Sequence, residues 1–265
     1  VSVGVNGLNS AAFYLSSYCT ASSVKACGTA PTIAQCSNTP APPPNWVCTG
    51  GYFPGQTPYA TKIEPTILAV TNSIPNGASN VDVSAVDGYS VGVKFYPASP
   101  AYCTYTVPPE NSNVLGAGLY SAARPFAQVA PNSATALQTM CKASSQLPAN
   151  YSGGATAWNL AVTSPDGKFA GCMSPCTYAT ANSPADAPQF CCTGNYNTPG
   201  TCDVAAGSVG ANTSTYNTKI QSSTQFQNVY GFAYGDAGSD YACPPETNFV
   251  VEFITTAAKS KKTKK

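Results

Sequence analysis

GCMSPC (Gly171–Cys176), FCCTG (Phe190–Gly194) and Cys202 together hold five of the twelve cysteines of this chain. Cys191 and Cys192 are adjacent, and because neighbouring cysteines rarely bond to each other without strain, we expect each to reach a different partner. Disulfides of this kind indicate an oxidising compartment, since cytosolic thiols are kept reduced. Zinc is the rival explanation, but the chain has no CxxC pair and no histidine, which leaves only a four-thiolate site. The cluster therefore predicts a loop-rich region tied by disulfides, without a metal.

Composition and charge are typical of a secreted protein. Of the 265 residues, 43% are hydrophobic, which is enough for a sizeable core. Only 9% are charged, against about a quarter in ordinary globular proteins. The terminal KSKKTKK (259–265) holds five of the 12 Lys and Arg, so residues 1–258 carry seven basic and eleven acidic groups. We expect a mildly acidic extracellular or cell-wall protein with a flexible basic tail.

Signals for membranes and processing are weak. No apolar run approaches the roughly eighteen residues of a membrane-spanning helix. The first residues lack the charged start and apolar centre of a signal peptide. Asn150 and Asn212 each begin an Asn-x-Ser/Thr triplet and are predicted glycosylation acceptors in a eukaryotic secretory route.

Short segments rich in β-branched and aromatic residues recur along the chain, bounded by Gly, Pro, Asn and Ser. Strands from both ends, with a cysteine-dense middle, predict an all-β fold in which a β-sandwich carries a looped second lobe. Residues 137–147 are predicted to form a short helix. The predicted strands are Ala12–Tyr18, Thr66–Thr71, Val81–Val86, Tyr89–Tyr96, Val229–Tyr234 and Phe249–Thr255.

The absence of histidine removes Ser-His-Asp and Cys-His catalysis and HExxH zinc sites. No GxxxxGK[ST] or GxGxxG element is present, so we expect no cofactor, and nothing predicts a nucleic-acid partner. Acid–base chemistry is then left to eleven carboxylates.

Five segments, in order, resemble the thaumatin-like protein family, the plant pathogenesis-related group with fungal and animal relatives. PYATKIEP (58–65) is similar to the family's PPTTLAEF, and DVSAVDGYSV (82–91) to its DVSLVDGFN. NLAVTSPDGKFAGCMSPC (159–176) resembles LRV-SDGKVVGCKSAC, and FCCTG (190–194) matches YCCTG. VYGFAYGDAGSDYACPPETNFVVEF (229–253) resembles AYSYAYDD…TCPSGTNYRVTF. The chain is identified as a member of this family on these matches.

The resemblance implies a single unit over 1–258 with three parts. The β-sandwich core is expected from 1–18, 58–135 and 226–258, the disulfide-rich lobe from about 136–225, and a small disulfide loop from 19–57. Family cysteines are absent at Phe226 and Ile254, and Thr156 stands where the usual partner of Cys172 would be. The implied bridges are Cys19–Cys27, Cys36–Cys48, Cys103–Cys243, Cys176–Cys191 and Cys192–Cys202, with Cys141–Cys172 as the remaining pair.

The family's acidic cleft, between core and lobe, is built from an arginine and four acids. The arginine falls on Thr57 and is lost, and Lys62 is a partial substitute. Asp82 and Asp87 are five residues apart and would face opposite sides of a regular strand, so only a turn at Asp87-Gly88 brings them together. The alternative is that both cap turns and bind backbone amides. The four acids that correspond are Glu64, Asp82, Asp87 and Asp236.

The resemblance implies binding of β-1,3-glucan or a related wall polysaccharide, with a possible defence role. Aromatic faces stack on sugars, so Tyr59, Tyr89 and Tyr234 are candidate contacts, although core packing is the alternative for each. Weak hydrolysis would use Glu64 as proton donor and an aspartate as base or nucleophile.

Two other classes of function stay open. One is a structural component of a wall, sheath or surface assembly with a vestigial cleft. Family members have a longer start than this chain, so an unpaired sheet edge near the N-terminus is expected to invite self-assembly or a partner chain. The other is a protein ligand such as an enzyme inhibitor.

Overall fold

A computed structural model describes the central parts of the chain. Several predictions fall outside the described residues: the arginine position at Thr57, the contact Tyr59, the glycosylation sites Asn150 and Asn212, and the basic tail 259–265. The described residues are 13–15, 18–21, 46–49, 60–66, 79–105, 117–129, 134–143, 158–163, 169–202, 215–237, 239–245 and 247–254.

Strands dominate the described residues, as predicted, and helices are short. The strands are β1 (Phe13–Leu15), β2 (Tyr18–Ala21), β3 (Trp46–Thr49), β4 (Thr61–Thr66), β5 (Ser79–Ser84), β6 (Gly88–Tyr89), β7 (Val93–Pro97), β8 (Ala101–Tyr105), β9 (Gly118–Tyr120), β10 (Ala127–Val129), β11 (Ala161–Thr163), β12 (Phe169–Met173), β13 (Phe226–Gln227), β14 (Val229–Tyr230), β15 (Tyr241–Cys243) and β16 (Phe249–Phe253). The helices are α1 (Ala134–Ala143), α2 (Pro175–Asn182), α3 (Ala187–Cys191), α4 (Pro199–Cys202) and α5 (Thr215–Ser222), with a 3-10 turn at Gly194–Tyr196.

Two sheets make the sandwich. Among the described strands, one sheet has the order β1-β4-β5-β15-β8-β9, with β14 pairing in parallel along β5. The other has the order β13-β10-β7-β16. Aromatic rings from both sheets meet between them: Phe126 lies 5.8 Å from Phe95 of β7 and 5.4 Å from Tyr241 of β15, measured between ring centroids. The predicted all-β fold is therefore confirmed.

Several predicted elements differ in extent. The Tyr89–Tyr96 strand is interrupted, because the backbone at Ser90 donates to Thr61 Oγ1 instead of continuing a ladder. The Val229–Tyr234 strand ends at Tyr230, where the chain enters a turn. The predicted helix at 137–147 is observed at Ala134–Ala143.

The disulfide-rich lobe is more helical than its predicted looped form. Its short helices are held by disulfides: Cys141–Cys172 joins α1 to β12, and Cys176–Cys191 joins α2 to α3. Cys192 has a left-handed backbone, with φ of 56°, which turns the chain between the adjacent cysteines. Cys191 and Cys192 therefore reach different partners, and Cys192 bonds to Cys202.

In the sandwich, Cys103–Cys243 connects the paired strands β8 and β15. Three of these bridges are pairings that the resemblance implied, and Cys141–Cys172 is the pair that then remained. Cys27 and Cys36 lie outside the described residues, so the implied Cys19–Cys27 and Cys36–Cys48 bridges stay predictions. Within the β2–β3 ladder, Cys19 lies opposite Cys48.

We predict that Phe126→Ala lowers the free energy of unfolding by ~3–5 kcal/mol, because it opens a cavity between the sheets. Phe126 is fully buried and also contacts Tyr120 and Phe249. Tyr102→Ala is the control, since the Tyr102 side chain is 62% exposed and should change stability little. Urea unfolding with the disulfides intact measures both. Equal losses for the two variants would contradict this account of the core.

Candidate functional site

The site begins with the pairing of β4 and β5. In this antiparallel ladder Ile63 lies opposite Val83, and Glu64 lies opposite Asp82. Ile63 and Val83 are buried in the core. Because side chains alternate along a strand, Glu64 and Asp82 share the outer face of the sheet. Lys62, two residues before Glu64, shares that face.

A third strand adds a hydroxyl to this face. β14 runs parallel to β5 and places Tyr230 beside Ser84. The Tyr230 hydroxyl donates a hydrogen bond to Glu64 Oε2 at 3.2 Å. Its pKa is raised well above the usual range, first by burial and then by the charges of Asp82 and Glu64. Tyr230 therefore stays a neutral donor.

Asp87 reaches the site through a turn after β5. The Gly88 N–H donates to the Ala85 carbonyl at 3.0 Å, and Gly88 has a φ of 137°, which favours glycine. The lobe holds this turn: the Asp87 carbonyl accepts hydrogen bonds from Thr177 Oγ1 at 2.7 Å and from the Ser174 N–H at 3.2 Å. The turn at Asp87-Gly88 is present, so Asp87 does come to the acids of the sheet.

Lys62 connects these carboxylates. Its Nζ lies 3.0 Å from Glu64 Oε2 and 3.4 Å from Asp87 Oδ2. The lysine side chain is only 13% exposed, whereas that of Glu64 is 30% exposed. Ion pairs that are largely shielded from water are screened less than surface pairs. Lys62 thus holds Glu64 and Asp87 in place and supplies positive charge at the centre of the site.

Burial raises the pKa of Asp82 to about 8, and the neighbouring charges of Glu64 and Asp240 add to this effect. Lys62 and a hydrogen bond from Tyr230 oppose it. Asp82 Oδ1 is buried and has no hydrogen-bond partner among the described residues. A buried oxygen that accepts no hydrogen bond makes the carboxyl group costly to ionise. Asp82 is therefore protonated at neutral pH.

The pKa of Asp87 is also raised, mainly by burial, while Lys62 lowers it and Glu64 raises it. The site thus combines a protonated carboxyl group at Asp82 with a carboxylate at Glu64 that a lysine and a tyrosine hold. Such an arrangement can accept hydrogen bonds from hydroxyls at Glu64 and can donate one from the protonated Asp82.

Asp236 stands apart from the other three predicted acids. It is exposed, and its carbonyl accepts from the N–H groups of Ser239 and Asp240 in a turn. Asp240 directly precedes β15, which pairs with β5, and its charge acts on Asp82. The charge of Asp236 acts on Tyr230 instead. Asp236 therefore belongs to the rim of the site.

Sequence reasoning missed two members of the site. Tyr230 and Asp240 both lie within the segment 229–253, so the signal was present, but only strand pairing shows that both residues adjoin β5. Nothing in the spacing along the chain connects either residue to Asp82.

The predicted sugar contact at Tyr89 is wrong. Tyr89 is fully buried, its hydroxyl donates to the Leu137 carbonyl, and its ring packs against Phe226 at 4.9 Å. It fills the junction between sandwich and lobe and cannot present a face to a ligand. Tyr234 is partly exposed, and its hydroxyl donates to the Asn197 carbonyl.

Within the described residues, no group of three His, Cys, Asp or Glu side chains could hold a metal ion. No helix in the same part of the chain is long and apolar enough to cross a membrane.

We predict that the stability of the protein falls as pH rises from about 4 to about 8. In this window folded Asp82 keeps its proton, whereas unfolded Asp82, with a pKa near 3.8, has lost it. The free energy of unfolding should decrease by up to ~1.4 kcal/mol per pH unit from this group. Asp82→Asn, which is neutral at every pH, should reduce this slope.

Urea unfolding at pH 4.5 and pH 8 measures the slope, with the exposed Glu252→Gln as a control that should keep it. An Asp82→Asn slope equal to that of the parent would contradict a protonated Asp82.

The comparisons with known proteins agree with this architecture. The sequence pattern of the Thaumatin family matches residues 9–255. Comparison with curated proteins finds no match. The matched range contains both sheets, the disulfide-tied lobe, and every described residue of the site. The chain therefore belongs to the thaumatin family.

Proposed function

We propose that this protein binds β-1,3-glucan or a related wall polysaccharide at the face that bears Glu64. The observation that carries the proposal is the arrangement of Glu64 on an outer sheet face, between Lys62 and Tyr230. A carboxylate held in this way offers fixed acceptor atoms to sugar hydroxyls, so little conformational entropy is lost when a glycan binds. Family membership and several disulfides favour an extracellular location, where such a polymer is found.

We further propose that any weak glycoside hydrolysis at this face would use roles opposite to those expected from the sequence. Glu64 was expected to donate the proton, but its Oε2 forms an ion pair with Lys62 Nζ. Asp82, with its raised pKa, holds a proton at neutral pH. In weak hydrolysis, Asp82 would therefore protonate the glycosidic oxygen, and Glu64 would activate water or attack the sugar.

Glu64→Gln is expected to weaken binding to insoluble β-1,3-glucan by ~tenfold or more, because a hydrogen bond to a charged acceptor contributes about 1.5–3 kcal/mol. A pull-down with the purified protein measures this. Glu252→Gln is the matched control, since Glu252 is an exposed carboxylate on β16 whose side chain bonds only to Tyr96 among the described contacts. Equal binding by Glu64→Gln and the parent would contradict the proposal that Glu64 binds the glucan.

Reducing-sugar release from laminarin tests the reaction. We expect weak release that declines as pH rises through about 8, because Asp82 then loses the proton it would donate. Asp82→Asn should abolish release while the glucan pull-down persists. No detectable release at any pH would leave binding as the function of the site and remove hydrolysis.

A further inference from the structure

Two large apolar side chains are exposed next to each other on the larger of the two sheets. Tyr102 of β8 is 62% exposed and Leu119 of β9 is 58% exposed. The two residues are opposite each other in the β8–β9 ladder, so their side chains adjoin. Single exposed apolar residues are ordinary, whereas adjoining ones form a patch that can bind a ligand.

The strand register places this apolar pair on the same sheet face as the acids. Asn80 is two residues from Asp82 on β5 and shares its outer face. Ala242 of β15 lies opposite Asn80, and it also lies opposite Thr104 of β8. Tyr102 is two residues before Thr104, so its side chain points to that face as well. One continuous face therefore connects Asp82 with Tyr102.

The surface between the acids and the apolar pair has small side chains. Asn80, Ala242 and Thr104 form one row across it, and the amide and hydroxyl groups of this row can bond to sugar hydroxyls. Strands about 4.8 Å apart that rise about 3.4 Å per residue place Tyr102 on the order of 15–20 Å from Asp82. The lobe meets the opposite end of β5, where a tyrosine of α5 donates a hydrogen bond just after the strand. The path from the acids to Tyr102 therefore leads away from the lobe.

The backbone under the apolar pair is fixed from both sides. The Cys103–Cys243 disulfide, directly next to Tyr102, joins β8 to β15. On the other side, Arg124 Nη1 donates a hydrogen bond to the Leu119 carbonyl at 3.5 Å. A ligand that binds here meets a surface that is already ordered, so its binding costs little conformational entropy in the protein.

We propose that Tyr102 and Leu119 form a second contact for the same polysaccharide, at sugar residues several units away from those at Glu64. The inference rests on the proposed glucan binding and adds to it the length of chain that the protein recognises. An aromatic face stacks on the apolar face of a sugar ring, and the leucine extends that apolar surface. The distance from the acids to Tyr102 is too long for one sugar ring and is spanned by an oligosaccharide. The protein therefore binds long chains in preference to short fragments.

Isothermal titration with a short and a long β-1,3-glucan oligosaccharide, laminaritriose and laminariheptaose, tests the proposal on the full chain. The parent should bind the heptaose more tightly than the triose, because only the longer chain reaches Tyr102 from Glu64. Tyr102→Ala should weaken heptaose binding by ~three- to tenfold and leave triose binding unchanged. Tyr102→Phe keeps the aromatic face and should bind both as the parent does. Phe253→Ala is the matched control, because Phe253 is a 51% exposed aromatic residue on the other sheet and should change neither affinity.

Several results would overturn the second contact while glucan binding at Glu64 stands. One is equal affinity of the parent for the two oligosaccharides, a measurement that needs no variant. Another is an unchanged heptaose affinity in Tyr102→Ala, or a loss that is the same for the triose. An equal loss in Phe253→Ala would also overturn it. A parent that binds neither oligosaccharide would instead refute glucan binding itself, and the second contact with it.

Discussion

The antiparallel pairing of β4 with β5 determines both the core and the site. Ile63 and Val83 meet on its inner face and are buried, while Glu64 and Asp82 meet on its outer face. Because the side chains of a strand alternate, a slip of one residue would exchange these two sets and place carboxyl groups in the core. The hydrophobic pattern of the sandwich thus fixes the register, and the register brings the two acids together.

The charge balance of the site follows from that register. Several carboxyl groups converge, and the cation that contacts them is Lys62, which pairs with Glu64 and Asp87. Asp82 is buried and lies next to Glu64 and Asp240, so it keeps its proton and adds no further negative charge to the site. Like charges in a partly buried cluster cannot all ionise at low cost. A site in which Asp82 is protonated and Lys62 pairs with Glu64 and Asp87 is the result.

The lobe contributes to the site through the backbone. Ser174 and Thr177, at the start of α2, hold the Asp87 carbonyl, and the Cys176–Cys191 bridge ties α2 to α3. Tyr216 of α5 donates a hydrogen bond to the Ala85 carbonyl in the same turn. The disulfide-tied lobe therefore stabilises the turn that presents Asp87, so the cysteines affect the geometry of the acids without touching them.

The sequence by itself predicted the fold class and the family, because strand patterns, cysteine spacing and motifs are local properties of the chain. Its resemblance to the family implied that Glu64, Asp82 and Asp87 belong to one acidic cleft. It did not reveal that Tyr89 is a core residue, that Tyr230 and Asp240 adjoin Asp82, or which carboxyl group keeps the proton. Those depend on burial and on contacts between residues distant in the chain, such as Tyr230 with Glu64. Only the tertiary structure decides them, since desolvation and Coulomb interactions act through space and not along the sequence.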